Sequence, residues 1–177
     1  MSTSIHAAFL AFAFLACTSP VVAQAASFTV IGSPCTVTGE ATPTIGVRGL
    51  PRVGTTFDVT YAGPNRTFDS AQTIVRPYLV TGFALVTPPF VIPTTLLRRQ
   101  PAGCSLYVTP DIVLPMPMSP AGPIFGSSVS LTIPNDPQLI GARWFHQWFA
   151  LFEQCGFAGC SPEWAATSDA GIVVVGT

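Results

Sequence analysis

The chain has 177 residues, of which 7 are Arg and none Lys, against 8 Asp and Glu; the net charge is −1 and only 8% of residues are charged, while 49% are hydrophobic. So weak a field gives nothing to draw nucleic acid, anionic lipid or phosphate to the surface, and those partners are set aside. With 18 Pro and 15 Gly, and hydroxyl residues filling the polar positions, the composition is that of sheets and turns rather than sustained helices.

In chain order, the first element is an apolar run from Ala7 to Leu15, too short to span a bilayer. Ser19-Pro20 breaks it, and the small residues Ala23 and Ala25 follow in the A-x-A pattern of a signal peptidase site. Residues 1–25 are therefore expected to be a signal peptide cleaved after Ala25, leaving residues 26–177 as one domain. An alternative takes Phe14-Leu15-Ala16-Cys17 as a lipoprotein site, with Cys17 acylated. No other stretch is long and apolar enough for a membrane span.

Two segments then alternate cleanly. Thr56 to Tyr61 places Phe57, Val59 and Tyr61 on one face, and Ser128 to Ile133 does the same with Val129, Leu131 and Ile133. Shorter strands are expected at Phe28–Ile31, Thr44–Arg48, Ile74–Val80, Leu106–Val108, Ile112–Leu114 and Ile172–Val175. Gly63-Pro64-Asn65, Pro88-Pro89 and the run Pro115 to Pro123 carry turn or loop chemistry. Asn135-Asp136-Pro137-Gln138 has the signature of one capped helical turn ending at Gly141. Trp144 to Phe152 fits both periods, since Trp144, Trp148 and Leu151 have helical spacing while Trp144, His146, Trp148 and Phe152 share a strand face. Its aromatic density favours the strand. Eight or nine short strands with Pro and Gly breaks predict an all-β domain, a single β-sandwich of immunoglobulin-like or jelly-roll type.

Loss of the leader removes Cys17 and leaves Cys35, Cys104, Cys155 and Cys160, an even set suited to an oxidising compartment. Three pairings are possible. Two glycines in Cys155-Gly-Phe-Ala-Gly-Cys160 let a short loop close, which favours Cys155 with Cys160 and Cys35 with Cys104. Zinc is disfavoured because Cys35 and Cys104 stand alone.

Several segments together carry a likeness: Gly32-Ser33-Pro34-Cys35, Arg48 to Tyr61, Gly103 to Pro115, Val129 to Trp148 with its Ile133-Pro134-Asn135-Asp136-Pro137, and Gly171 to Gly176. The chain resembles an uncharacterised family of small secreted β-sandwich proteins of environmental bacteria. The resemblance implies an extracellular setting and a Cys35–Cys104 bridge, and no assigned activity. This chain departs from that pattern at Cys155 to Cys160 and at Pro162-Glu163-Trp164, where the family has a plain polar hairpin.

A hydrolase needs a nucleophile held against a base, or two carboxylates astride a bond. After the leader the chain holds one histidine, His146, and its eight acids are scattered singly, so that a carboxylate pair would have to be assembled by folding, as from Glu153 with Glu163. No Gly-x-Ser-x-Gly, His-Glu-x-x-His, calcium loop or phosphate loop occurs. The expectation is therefore no enzyme, no catalytic residue, no metal and no cofactor. Trp164, Glu163, Trp144, His146 and Trp148 are the residues singled out for binding, because aromatics with a polar edge stack on sugars or anchor proteins when exposed. Trp164 stands out among them, since it follows the disulfide loop and is expected at a rigid tip. Arg98-Arg99 reads as a solvated pair or an anion grip. The function that follows is a secreted non-catalytic structural or adhesion module. A carbohydrate-binding, lectin-like module is the first alternative and a self-assembling coat or fibre subunit the second, with a glycan, a surface protein or another copy as partner.

Overall fold

The computed structural model describes residues 23–37, 40–63, 73–95, 97–116, 125–157 and 159–177. The apolar leader, Cys17 and most of the run Pro115 to Pro123 lie outside the described residues. Among those described, the strands are β1 (Ser27–Ile31), β2 (Thr44–Arg48), β3 (Thr56–Gly63), β4 (Thr73–Gly82), β5 (Leu85–Val91), β6 (Ser105–Val108), β7 (Ile112–Pro115), β8 (Phe125–Thr132), β9 (Arg143–Gly156) and β10 (Gly159–Val174). They form three antiparallel sheets: a five-stranded sheet in the order β1-β10-β9-β4-β7, a three-stranded sheet β2-β3-β8, and the ribbon β5-β6.

The two alternating segments behave as their pattern demands. Phe57, Val59 and Tyr61 of β3 are buried, and Phe57 and Val59 stand directly opposite Leu131 and Val129 of β8. The other face of the same pair is polar and bonds across the strands, with Thr56 Oγ1 2.9 Å from Thr132 Oγ1 and Ser130 Oγ donating to Asp58 Oδ1 at 2.6 Å. The inner face of β3 shares one core with Leu79 of β4, Trp148, Ala150 and Phe152 of β9, and Trp164, Ala166 and Val173 of β10. Each large apolar side chain fully buried there stabilises the fold by about 1.5–3 kcal/mol before entropy is charged against it. Two polar ties fasten the three-stranded sheet to the five-stranded one: Trp148 Nε1–H donates to Thr60 O at 3.0 Å, and Ile45 N–H donates to Asp169 Oδ1 at 3.2 Å.

Trp144 to Phe152 is a strand, as its aromatic density predicts, and it runs on to Gly156. The helical turn also stands where expected, at Pro137–Leu139, with Asp136 as its cap accepting from Gln138 N–H at 2.9 Å. It ends at Leu139 with Ile140 as its C-cap, short of the expected Gly141, whose φ of 86° is a conformation that glycine adopts without steric cost.

Three features differ from expectation. Pro88-Pro89 lies inside strand β5 rather than in a turn; the Thr87–Pro88 bond is cis, and the β5–β6 register shifts between Leu85 and Phe90. Proline is tolerated here because, among the described residues, β5 has a partner on one side only. Strand β10 is far longer than Ile172–Val175 and begins at Gly159, where the hairpin returns along β9. The ribbon is the third difference, since a single two-layer sandwich leaves no place for it. It lies across the other face of the five-stranded sheet, over a second small core of Val80, Val108 and Ala170. Gln147 of β9 joins it there, donating to Ser105 O at 3.0 Å and accepting from Tyr107 N–H at 2.8 Å.

Both expected disulfides are present, Cys35–Cys104 and Cys155–Cys160. The first ties the entrance of the ribbon to the segment that pairs with β10 at Thr167, and the second staples directly opposed residues at the end of the β9–β10 hairpin.

Candidate functional site

Trp164 is not at a loop tip. It is 1% exposed, pairs across the ladder with Phe152, and stacks on that ring with centroids 3.4 Å apart and planes within 8°. The hairpin turns immediately after Cys155, so Pro162-Glu163-Trp164 already belongs to a strand whose inner face is core. The exposed aromatic of this hairpin is Phe157 instead. Trp148 is likewise buried, its ring 5.3 Å from that of Tyr61. Glu163 lies beside Trp164 in the chain, yet its carboxylate is 3.2 Å from Arg99 Nε, and Arg99 N–H donates to Glu163 O at 2.9 Å. Arg99 is thus the solvated partner of an ion pair rather than an anion grip. Glu163 and Glu153 do not form a pair of acids, because Glu153 Oε2 takes Arg76 Nε at 2.7 Å.

Asp58, Asp111, Asp136 and Asp169 also serve the fold, each accepting a hydrogen bond from elsewhere in the chain. Asp111 accepts from Phe83 N–H and Thr109 Oγ1–H, each at 2.8 Å, and those bonds hold its carboxyl below the usual range. Among the described residues no three His, Cys, Asp or Glu side chains converge as metal ligands would. Tyr61 carries a buried hydroxyl with no hydrogen-bond partner among the described residues, and burial raises its pKa.

Of the five singled-out residues, the structure joins Trp144 and His146. Both project from β9 onto the core side of the sheet, two positions apart. Trp144 is half-buried and its Nε1–H donates to His146 Nε2 at 2.8 Å; His146 is 1% exposed, and its Nδ1 lies 2.8 Å from Thr81 Oγ1 on the neighbouring β4. Indole nitrogen only donates, so Nε2 of the histidine is the acceptor and Nδ1 carries the proton that goes to Thr81. Burial lowers the pKa of His146 to about 4. At neutral pH the ring is uncharged, fixed in one tautomer, and has both nitrogens engaged.

What surrounds this pair was not visible as a site in the sequence. Trp144 and His146 lie along a trough of about 400 Å³ whose walls include Ile112 and Leu114 of β7, Leu131 of β8, and Ile133 and Leu139 just beyond it. The alternation of β8 identifies Leu131 and Ile133 as inward-facing. It does not reveal that the edges of two different sheets stand side by side with an open gap between them. A second depression of about 400 Å³, half polar, lies by Arg48, Thr60, Tyr61 and Ser128. No family model matches the chain, and no curated protein or solved structure matches it.

Proposed function

We propose that the protein is an exported, non-catalytic structural or adhesion module, its five- and three-stranded sheets facing each other as an immunoglobulin-like or jelly-roll sandwich with the ribbon as an added layer. The observation that carries this is the state of His146: buried, neutral, and bonded through both ring nitrogens, it has no lone pair or proton to lend to a substrate. The paired disulfides of an all-β domain and the leader-like start of the chain support the exported setting. The burial of Trp164 under Phe152 counts against the carbohydrate-binding alternative, which leaned on that ring. The test is a panel of esterase, glycosidase and peptidase substrates with the oxidised protein. No turnover is expected, and a hydrolytic activity that vanishes in His146→Ala or Glu163→Ala would overturn the proposal.

Self-association is a second reading, favoured by β7. Among the described residues this edge strand pairs only with β4, and it carries Ile112 and Val113 at 45% and 48% exposure. Such an edge is a template for another strand. Light scattering across a concentration series decides it, and a monomer throughout removes it.

A further inference from the structure

The trough beside Trp144 is mostly apolar, and each of the polar side chains in its lining already holds a hydrogen bond. Among the described residues, three polar side chains reach its lining: His146, Thr81 and Thr132. His146 holds Trp144 Nε1–H and Thr81 Oγ1, each at 2.8 Å, and Thr132 Oγ1 is 2.9 Å from Thr56 Oγ1. The rest of the surface named above is hydrocarbon or aromatic ring. A sugar or an ion entering here would give up most of its water for a lining whose remaining capacity is that of two threonine hydroxyls, at a cost of about 1–3 kcal/mol per stranded polar group. A hydrocarbon entering here would leave water and strand nothing.

We propose that this trough is a binding site for the aliphatic chain of a small apolar ligand. The site goes beyond the structural role proposed above and stands or falls without it. An apolar cavity of about 150 Å³ takes up benzene, so by proportion a space of about 400 Å³ accepts a chain on the order of ten to fifteen carbons. The walls run along two strands, β7 and β8, which suits an extended chain better than a compact ring system. The open side, with Phe83 and Ile112 exposed at its rim, leaves the polar end of such a ligand in water. Trp144 is part of the wall and is held in place by His146 before any ligand arrives, so little order remains to be imposed on binding.

Straight-chain 1-alkanols of increasing length, kept below their solubility limits, are the probes, and tryptophan fluorescence is the readout. Trp148 and Trp164 are fully buried, so a spectral change on binding belongs to Trp144. Each methylene taken up is worth about 0.8 kcal/mol, about fourfold in affinity. Affinity is expected to climb by about that factor per carbon and to level off once the trough is full. Two variants bracket the site. Ile112→Asp places a charge at the exposed rim, and Leu131→Phe fills part of the space with apolar volume without adding a tryptophan. Each is expected to weaken binding at least tenfold (~1.4 kcal/mol), with circular dichroism and melting as the check that the variant has folded. Several results would overturn the site: no response of Trp144 at any chain length, a climb without a plateau, or a response unchanged in whichever variant folds. Sedimentation showing that a second copy covers β7 and β8 in solution would overturn it as well.

Discussion

Replacing Cys35 and Cys104 together by alanine opens a loop between residues 69 apart in the chain, whereas Cys155 and Cys160 are 5 apart. Chain entropy alone assigns about 4 kcal/mol to the long closure and about 2 kcal/mol to the short one. The surroundings widen that gap. Cys35 exchanges both backbone hydrogen bonds with Thr167 of β10, at 2.8 and 3.2 Å, and Cys104 is fully buried where the ribbon meets that strand. The long bridge therefore holds the β5–β6 layer against the five-stranded sheet. The short bridge joins residues that the β9–β10 ladder already sets opposite each other. Equilibrium urea unfolding of the two double-alanine variants under identical conditions is the assay. The Cys35/Cys104 variant is expected to lose at least about 2 kcal/mol more than the Cys155/Cys160 variant. Equal losses, or the reverse order, would refute the account of what each bridge constrains.

Three further outcomes are expected. Burial lowers His146 to about 4, so as pH falls from about 6.5 the unfolded chain takes up its proton first. The stability tied to this group is therefore complete above pH 6.5 and is lost progressively toward pH 4, up to about 3 kcal/mol in all. Urea midpoints at pH 7 and pH 5 are expected to show a loss that is absent in His146→Phe, and a flat wild-type profile would contradict it. Trp164→Ala removes one half of the stack on Phe152 and is expected to cost about 3–5 kcal/mol, a drop on the order of 10 °C in melting temperature; a change under about 1 kcal/mol would mean that the ring is not core. If the chain is exported, intact-mass measurement of the secreted form is expected to find Ala26 as the first residue, and a mass starting elsewhere would contradict the cut after Ala25.

The strands that could be read directly are those with one wet and one dry face. Phe57, Val59 and Tyr61 alternate with Thr56, Asp58 and Thr60 because β3 has core on one side and solvent on the other. That condition fails for β9 and β10, which are covered on both faces, so Phe145, Gln147 and Phe149 sit opposite Trp144, His146 and Trp148 with no clear contrast between them. In β10 the count is also broken. Trp164 and Ala166 face the main core from even positions and Val173 from an odd one, across a register shift between Thr167 and Ala170. A two-residue period cannot be followed through that shift, and the run Ala165 to Asp169 has little strand propensity of its own. Trp164 was placed wrongly for a related reason, because the short distance from Cys160 suggests a loop while the ladder has already resumed. Trp144 and His146 were legible as one face of one strand. The trough beside them depends on β7 and β8 arriving from separate sheets, which no local pattern encodes.

The irregularity in β10 has a bearing on how the gene can change length. One extra residue is accommodated there, so Trp164 still meets Phe152 and Val173 still meets Trp144 on either side of it. Excising a single codon at Ser168 or Asp169 would leave both flanking runs in phase and the packed interior unaltered. Loss of Ser168 would forfeit the hydroxyl that takes Trp148 N–H at 2.9 Å within the five-stranded sheet, and loss of Asp169 would forfeit the latch between sheets, the carboxylate that catches Ile45 N–H. In the second case the two large sheets would keep their shapes while losing a fastener between them, a lesion that shows in how readily they slide or part rather than in whether they form.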